Sequence, residues 1–119
     1  MPIAFEHERD NVYRLDVRGI LRRAELDRCQ TTLVDEMQHR GPVRLLFILD
    51  RFDGWDAADS WNDLTFYVRH GDSIERIAIV GPERWRGETL MFAGADLRRA
   101  PVAYFLEERL DAARAWLTD

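Results

Sequence analysis

The alternation of hydrophobic and polar positions predicts a β-hairpin at the beginning of the chain. Residues 3–7 and 12–17 are short runs rich in β-forming side chains, and the polar residues 8–11 between them are typical of a turn. In the second run, every other side chain is apolar, which is the period of a strand with one solvated face. We expect Gly19 to end this hairpin.

Helical periodicity and apolar runs then alternate. Residues 22–39 predict a helix, stopped by Gly41 and Pro42, whose inward stripe consists of Leu26, Cys29, Leu33 and Met37. The apolar runs 43–49 and 74–80 are typical of strands covered on both faces. The run 101–105 begins with proline, which favours an edge strand because proline donates no ladder hydrogen bond.

Three more helices are predicted after a loop at residues 50–55. Asp56 can cap a second helix that ends near His70 and has one apolar face, formed by Ala57, Trp61, Leu64 and Val68. Residues 83–97 predict a third helix, and residues 107–117 predict a closing one.

The resulting order, β-β-α-β-α-β-α-β-α, predicts one α/β domain over residues 1–119. Strands separated by helices favour parallel pairing, and the hairpin adds an antiparallel edge. We therefore expect a mixed β-sheet of about five strands with about four helices, an architecture that a chain of 119 residues can form.

Composition excludes some functions and favours a compartment. With 22 acidic and 17 basic residues, the net charge of −5 weighs against nucleic-acid binding. A single cysteine, Cys29, permits no intrachain disulfide, and no apolar run reaches about 20 residues. Since residues 1–6 lack a basic region followed by an apolar one, we expect no signal peptide. We expect a cytoplasmic protein without membrane insertion.

Several segments together resemble one family. They are Arg18-Gly19, residues 41–46, residues 52–55, residues 76–81 with Trp85, and Tyr104-Phe105 with residues 112–117. On these the chain resembles the small bacterial SpoIIAA-like proteins, related in fold to STAS domains and to the lipid-binding CRAL-TRIO domain. The resemblance implies the SpoIIAA-like mixed sheet. Sporulation regulators of this fold are switched by phosphorylation in an Asp-Ser-Ser-Gly motif. Ser60 lies near that place but lacks the second serine and the glycine, so no such switch is expected.

Clustered acids offer one candidate chemistry. Asp50, Asp53, Asp56, Asp59 and Asp63 could hold a divalent cation or share a proton, but acids at a helix N-terminus on a solvated face are the favoured interpretation. The three histidines are scattered, and no serine has the flanking glycines of a nucleophile elbow. We predict no catalytic residue, no metal and no cofactor.

Aromatic residues after the central strands are the remaining candidate. In open α/β sheets, ligands bind beyond the carboxyl ends of strands. The candidate binding residues there are Asp50, Phe52, Asp53, Gly54, Trp55, Ser60, Trp61, Gly81 and Trp85. They could present a surface to a partner, line an apolar pocket together with Met91 and Phe92, or only pack helices onto the sheet.

The favoured hypothesis is a non-enzymatic regulatory module that binds a protein partner or a second copy of itself. The alternative is a binder of a small apolar ligand or lipid in a CRAL-TRIO-like cleft. An exposed Trp55 with little internal void would favour the first, whereas an enclosed apolar cavity of a few hundred Å³ would favour the second.

Overall fold

The computed structural model describes residues 3–59, 61, 69–95 and 99–119. The described strands are β1 (Ile3–Arg9), β2 (Val12–Leu21), β3 (Val43–Trp55), β4 (Ile74–Gly81) and β5 (Val102–Leu106). The described α-helices are α1 (Arg23–Arg40), α2 (Arg86–Phe92) and α3 (Leu110–Thr118). Short 3-10 helices lie at Gly71–Ser73, Glu83–Trp85 and Glu107–Arg109.

The five strands form one mixed sheet in the order β1-β2-β3-β4-β5. β1 and β2 are antiparallel, whereas β2, β3, β4 and β5 run parallel to one another. The predicted hairpin edge, central strands and C-terminal edge strand are thereby confirmed. Within the described residues no helix is both long and apolar enough to cross a lipid bilayer.

Helices cover the two faces of the sheet. On one face, α1 packs Cys29, Leu33 and Met37 against the sheet, as its predicted stripe requires. On the other face, α3 buries Ala113 and Leu117. β3 supplies both cores, because its alternate residues point to opposite faces.

Two arginines in the apolar strands have a clear structural role. Arg44 of β3 donates a hydrogen bond to the Leu117 carbonyl, and Arg76 of β4 donates one to the Trp116 carbonyl. These carbonyls lie in the last turn of α3, where the helix dipole favours positive charge. The two charges therefore fix the end of α3 against the sheet.

The prediction of a loop at residues 50–55 is wrong, because β3 continues to Trp55. Val17 pairs with Leu49 but Gly19 pairs with Phe52, so β3 holds an extra residue there, and a second one before Gly54. Arg51, at the first bulge, has a positive φ of 54°. Because each bulge adds one residue, side chains three positions apart in this stretch point to the same face of the sheet. Leu49, Phe52 and Trp55 therefore pack toward the same core.

Three other predicted boundaries differ. β2 continues beyond Gly19 and ends at Leu21. Gly19 does not end the strand but lies at an irregularity in the β2–β3 pairing. No helix begins at Asp56, because residues 57–58 form a turn; residues 60 and 62–68 of that predicted helix lie outside the described residues. Between residues 83 and 95, only Arg86–Phe92 is α-helical.

Candidate ligand cavity

An apolar cavity of about 420 Å³ lies between the sheet and the layer formed by α1 and α2. Strand side chains such as Leu15, Leu45 and Ile77 line it from the sheet, and Leu26 and Leu33 line it from α1. Interiors of folded proteins are close-packed, with few voids larger than a water molecule. A space of this size falls within the range of ligand pockets, about 300–1,000 Å³.

Aromatic rings form one end of this sheet–helix cavity. Phe52 and Trp55 meet edge to face with ring centroids 5.1 Å apart, and Trp55 lies 5.1 Å from Phe92. Trp61 lies 5.7 Å from Phe92, and its indole N–H donates to the Asp56 carbonyl at 2.9 Å. All four aromatic residues line the cavity. The bulges in β3 bring this cluster together, since without them Phe52 and Trp55 would face opposite sides.

Trp85 supports the aromatic cluster from behind. Its indole N–H donates to the Phe52 carbonyl at 3.0 Å, and its ring contacts Phe52 edge to face with centroids 5.1 Å apart. Gly54 leaves room for this ring, because a Cβ at this position would lie 3.3 Å from the Trp85 ring carbon Cη2. The φ of Gly54 is 102°. Gly54 is therefore required by both backbone conformation and packing.

Gly81 also serves close packing. A Cβ at this position would lie 2.7 Å from Tyr104 Oη and 2.8 Å from Leu49 Cδ1. Tyr104 Oη donates to the Pro82 carbonyl at 2.6 Å, and burial raises the pKa of this phenol to about 12. Gly81 thus lets β5 approach the end of β4, and it lies outside the cavity lining.

Three described acids of the predicted cluster, Asp50, Asp56 and Asp59, pair with nearby donors. Asp50 pairs with Arg18, and Asp56 lies 3.7 Å from Arg22. Asp59 Oδ2 accepts the backbone N–H of Arg23, at the start of α1, at 2.9 Å. Asp56 and Asp59 therefore fasten the segment after β3 to the β2–α1 junction, whereas Asp50 links β3 to β2. Among the described residues, no group of three or more His, Cys, Asp or Glu side chains could hold a metal ion.

Polar groups on the cavity lining are few. Those among the described side chains are Arg23, Cys29, Gln30, Thr89 and the two indoles. Burial raises the pKa of the Cys29 thiol to about 12, so the thiol is protonated at neutral pH. Trp55 Nε1 is buried and has no hydrogen-bond partner among the described residues.

The structure brings together only part of the predicted binding set. Phe52, Trp55 and Trp61 line the cavity, whereas Trp85 and Gly81 do not. Asp50 and Asp53 do not line it, and Ser60 lies outside the described residues. Trp55 is half-buried instead of exposed.

Sequence reasoning missed the contribution of α1. Arg23, Leu26, Cys29, Gln30 and Leu33 all line the cavity. The available signal was the inward stripe of that helix, which was assigned to core packing alone.

Comparison with known proteins identifies relatives by sequence and by fold. A family model described as SpoIIAA-like matches residues 12–118. The chain is similar to a solved structure of an uncharacterized protein of the DUF3478 family with a SpoIIAA-like fold, from Shewanella loihica PV-4, with a TM-score of 0.68 and 22% sequence identity. The match covers 97% of this chain and 91% of that one. No curated protein matches the chain.

Proposed function

The chain belongs to the SpoIIAA-like family, and from that premise we propose that it binds a small apolar molecule in the sheet–helix cavity. The observation that carries the proposal is the cavity itself, about 420 Å³ of space lined mainly by apolar side chains. An apolar void this large leaves its lining without contacts on one side. A bound apolar molecule would restore them.

The position of the cavity also supports binding. It extends to the carboxyl ends of β2 and β3, where Leu21 and Trp55 pair and both line it. Ligands of open α/β sheets occupy this kind of location. Met91 is 77% exposed and also lines the cavity, so a ligand has a route from solvent beside it.

The proposed activity is binding without chemical conversion. Cys29 is a nucleophilic side chain on the cavity lining, but burial raises the pKa of its thiol and keeps it protonated, which disfavours attack on a ligand. Among the described residues, the other polar lining groups are an arginine, an amide, the two indoles and a threonine hydroxyl that donates to the Trp85 carbonyl. We accordingly propose a carrier or sensor of an apolar molecule, acting in the cytoplasm.

Native mass spectrometry of the protein purified from its own host tests this function. We expect a co-purifying species of a few hundred daltons, the mass of a molecule that fills a pocket of this size. Organic extraction should remove it and should leave a protein that rebinds the same compound. A protein that carries no small molecule, and takes up none from a lipid extract of its host, would contradict the proposal.

A regulatory module that acts by protein contact is the second candidate. Two neighbouring apolar side chains favour it, since Met91 is 77% and Phe92 is 40% exposed on α2. The same spectra test this candidate: a second polypeptide or a dimer that Met91→Ser abolishes would support it. A monomer without any bound polypeptide would count against it.

A further inference from the structure

Among the described residues, the lining of the sheet–helix cavity offers a ligand no unpaired charge. Arg23 is the only charged residue of that described lining, and its Nε donates to the Asp27 carboxylate at 2.9 Å. Burial raises the pKa of the Cys29 thiol to about 12, so the thiol is uncharged at neutral pH. Moving a charged group into apolar surroundings is costly unless it is paired and hydrogen-bonded. The cavity therefore disfavours both anionic and cationic ligands.

Two uncharged donors on the lining are engaged as well. The Thr89 hydroxyl donates to the Trp85 carbonyl, and the Trp61 indole N–H donates to the Asp56 carbonyl at 2.9 Å. Both bonds are made within the protein, so neither donor awaits a ligand.

Gln30 differs from these groups. Its side chain lines the cavity, is half-buried and makes no hydrogen bond to any other described residue. Trp55 Nε1 also lacks a partner in the described part of the chain, but that nitrogen is buried, whereas the amide atoms of Gln30 are accessible. A side-chain amide has two N–H donors and one carbonyl acceptor. A ligand in the cavity therefore meets an amide whose hydrogen-bonding capacity is unused.

Apolar side chains surround Gln30 on the lining. Leu26 lies one turn before it on α1 and Leu33 lies one turn after it, and both line the cavity. Leu15 and Ile77 line the same space from the sheet. An accessible neutral amide on a mainly apolar lining suits a ligand that has one polar group on an apolar body.

We infer that the ligand is an uncharged, mainly apolar molecule with one hydroxyl or carbonyl oxygen, which accepts a hydrogen bond from the Gln30 amide. This inference rests on the proposed function and names the ligand class. The two oxygen groups differ at the amide, because a hydroxyl can also donate to the Gln30 carbonyl oxygen, whereas a ketone or an ester can only accept. Gln30 is thus the residue that selects among apolar molecules of suitable size.

Displacement of the fluorescent probe phenylnaphthylamine from the delipidated protein tests the inference. The competitors are decanol, methyl octyl ketone, decanoate, decylammonium and undecane, which are similar in length and differ in the polar group. For the wild-type protein, we expect decanol and the ketone to bind about tenfold or more tightly than either ion. The ratio between the affinities for decanol and the ketone shows which oxygen group the site prefers.

Two glutamine variants of α1 isolate the amide contact. Gln30→Met keeps the length of the side chain and removes its amide. It should weaken the binding of decanol and the ketone by about threefold to tenfold, while undecane binds as tightly as before or more tightly. Gln38→Met makes the same change at an exposed position of α1 outside the cavity lining, and it should leave all these affinities unchanged.

Three results would overturn the inference. A wild-type protein that binds decanoate or decylammonium as tightly as decanol would refute an uncharged ligand, and would leave the proposed apolar binding intact. A Gln30→Met protein with the wild-type ratio of decanol affinity to undecane affinity would refute the contact with Gln30, again without affecting the proposed function. If neither the probe nor any competitor binds, both the inference and the proposed function fail.

Discussion

The indole nitrogen of Trp85 donates a hydrogen bond to the Phe52 carbonyl oxygen at 3.0 Å. Phe52 lies between the two bulges of β3, in a stretch where the strand has more residues than its neighbour β2. A residue of the short helix after β4 thus holds the bulged segment in place. Because this segment carries Phe52 and Trp55 into the cavity lining, the bond links strand irregularity to the shape of the site.

Trp85→Phe should lower the free energy of unfolding by about 1–3 kcal/mol, because the replacement keeps an aromatic ring but leaves a main-chain carbonyl without its donor. Urea denaturation followed by circular dichroism measures the loss. Trp116→Phe, on the opposite face of the sheet, serves as the comparison and should cost less. Equal stability of Trp85→Phe and wild type would show that the bond contributes nothing.

Two glycine substitutions should change stability in opposite directions. Gly54→Ala introduces a Cβ 3.3 Å from the Trp85 ring at a φ of 102°, and we expect a loss of about 1–3 kcal/mol. Gly87→Ala places a Cβ in open space within α2 and should gain about 0.5–1 kcal/mol. Thermal denaturation of both variants measures the two changes in stability. A Gly54→Ala protein as stable as Gly87→Ala would contradict the packing described for Trp85.

Enlarging a buried side chain should be tolerated at the cavity and harmful elsewhere. Cys29→Leu adds volume next to the void, and we expect its stability to stay within about 1 kcal/mol of wild type. Ala113→Leu makes a similar addition in α3, at a residue that is fully buried and does not line the cavity, and it should cost about 1–3 kcal/mol. Similar losses for the two variants, measured by chemical denaturation, would argue that no void is present.

The Cys29 thiol should react slowly and should make stability fall at high pH. With its pKa raised to about 12, the thiolate fraction at about pH 8 is smaller than in the unfolded chain by a factor on the order of 10³. Labelling by a water-soluble disulfide reagent should slow accordingly, and a bound ligand should slow it further.

The direction of the stability change follows from linkage. The folded pKa lies above the unfolded value of about 8.5, so the stabilising contribution is complete below that pH and is lost as the pH rises toward 12. The Tyr104 phenol, with its pKa also raised to about 12, acts in the same direction from its usual value of about 10 upward. Unfolding free energies at about pH 8 and pH 10 measure the fall, which should be smaller for Cys29→Ala. A Cys29→Ala protein with the same fall as wild type would contradict this assignment.

Much of the sheet was predictable because its periodicity is local. The alternation around Tyr13 and the apolar runs of β3 and β4 identified the hairpin and the central strands. The end of β3 was missed because its two bulges break the alternation between Leu49 and Trp55. The residue type of Arg51 does not indicate its positive φ, since glycine is the usual residue in that conformation.

The site was less predictable because its key relationships are not local. The acids after β3 were predicted to lie at the N-terminus of a helix that begins at Asp56, whereas Asp59 accepts the backbone N–H of Arg23 at the start of α1, which precedes it in the chain. The cavity was not predictable from Cys29 and Leu33, because an inward apolar stripe looks the same whether it meets a packed core or a void.

The most direct test of the account is a fluorescence titration with phenylnaphthylamine, a neutral apolar probe that requires no particular head group. Cys29→Phe places a ring in the cavity, whereas Thr31→Phe places the same ring on the exposed face of α1. Circular dichroism first establishes that all three proteins are folded. We then predict saturable one-to-one binding to wild type and Thr31→Phe, and an affinity for Cys29→Phe that is lower by about tenfold or more. Equal binding to Cys29→Phe, or no saturable binding to wild type, would contradict a ligand in the sheet–helix cavity.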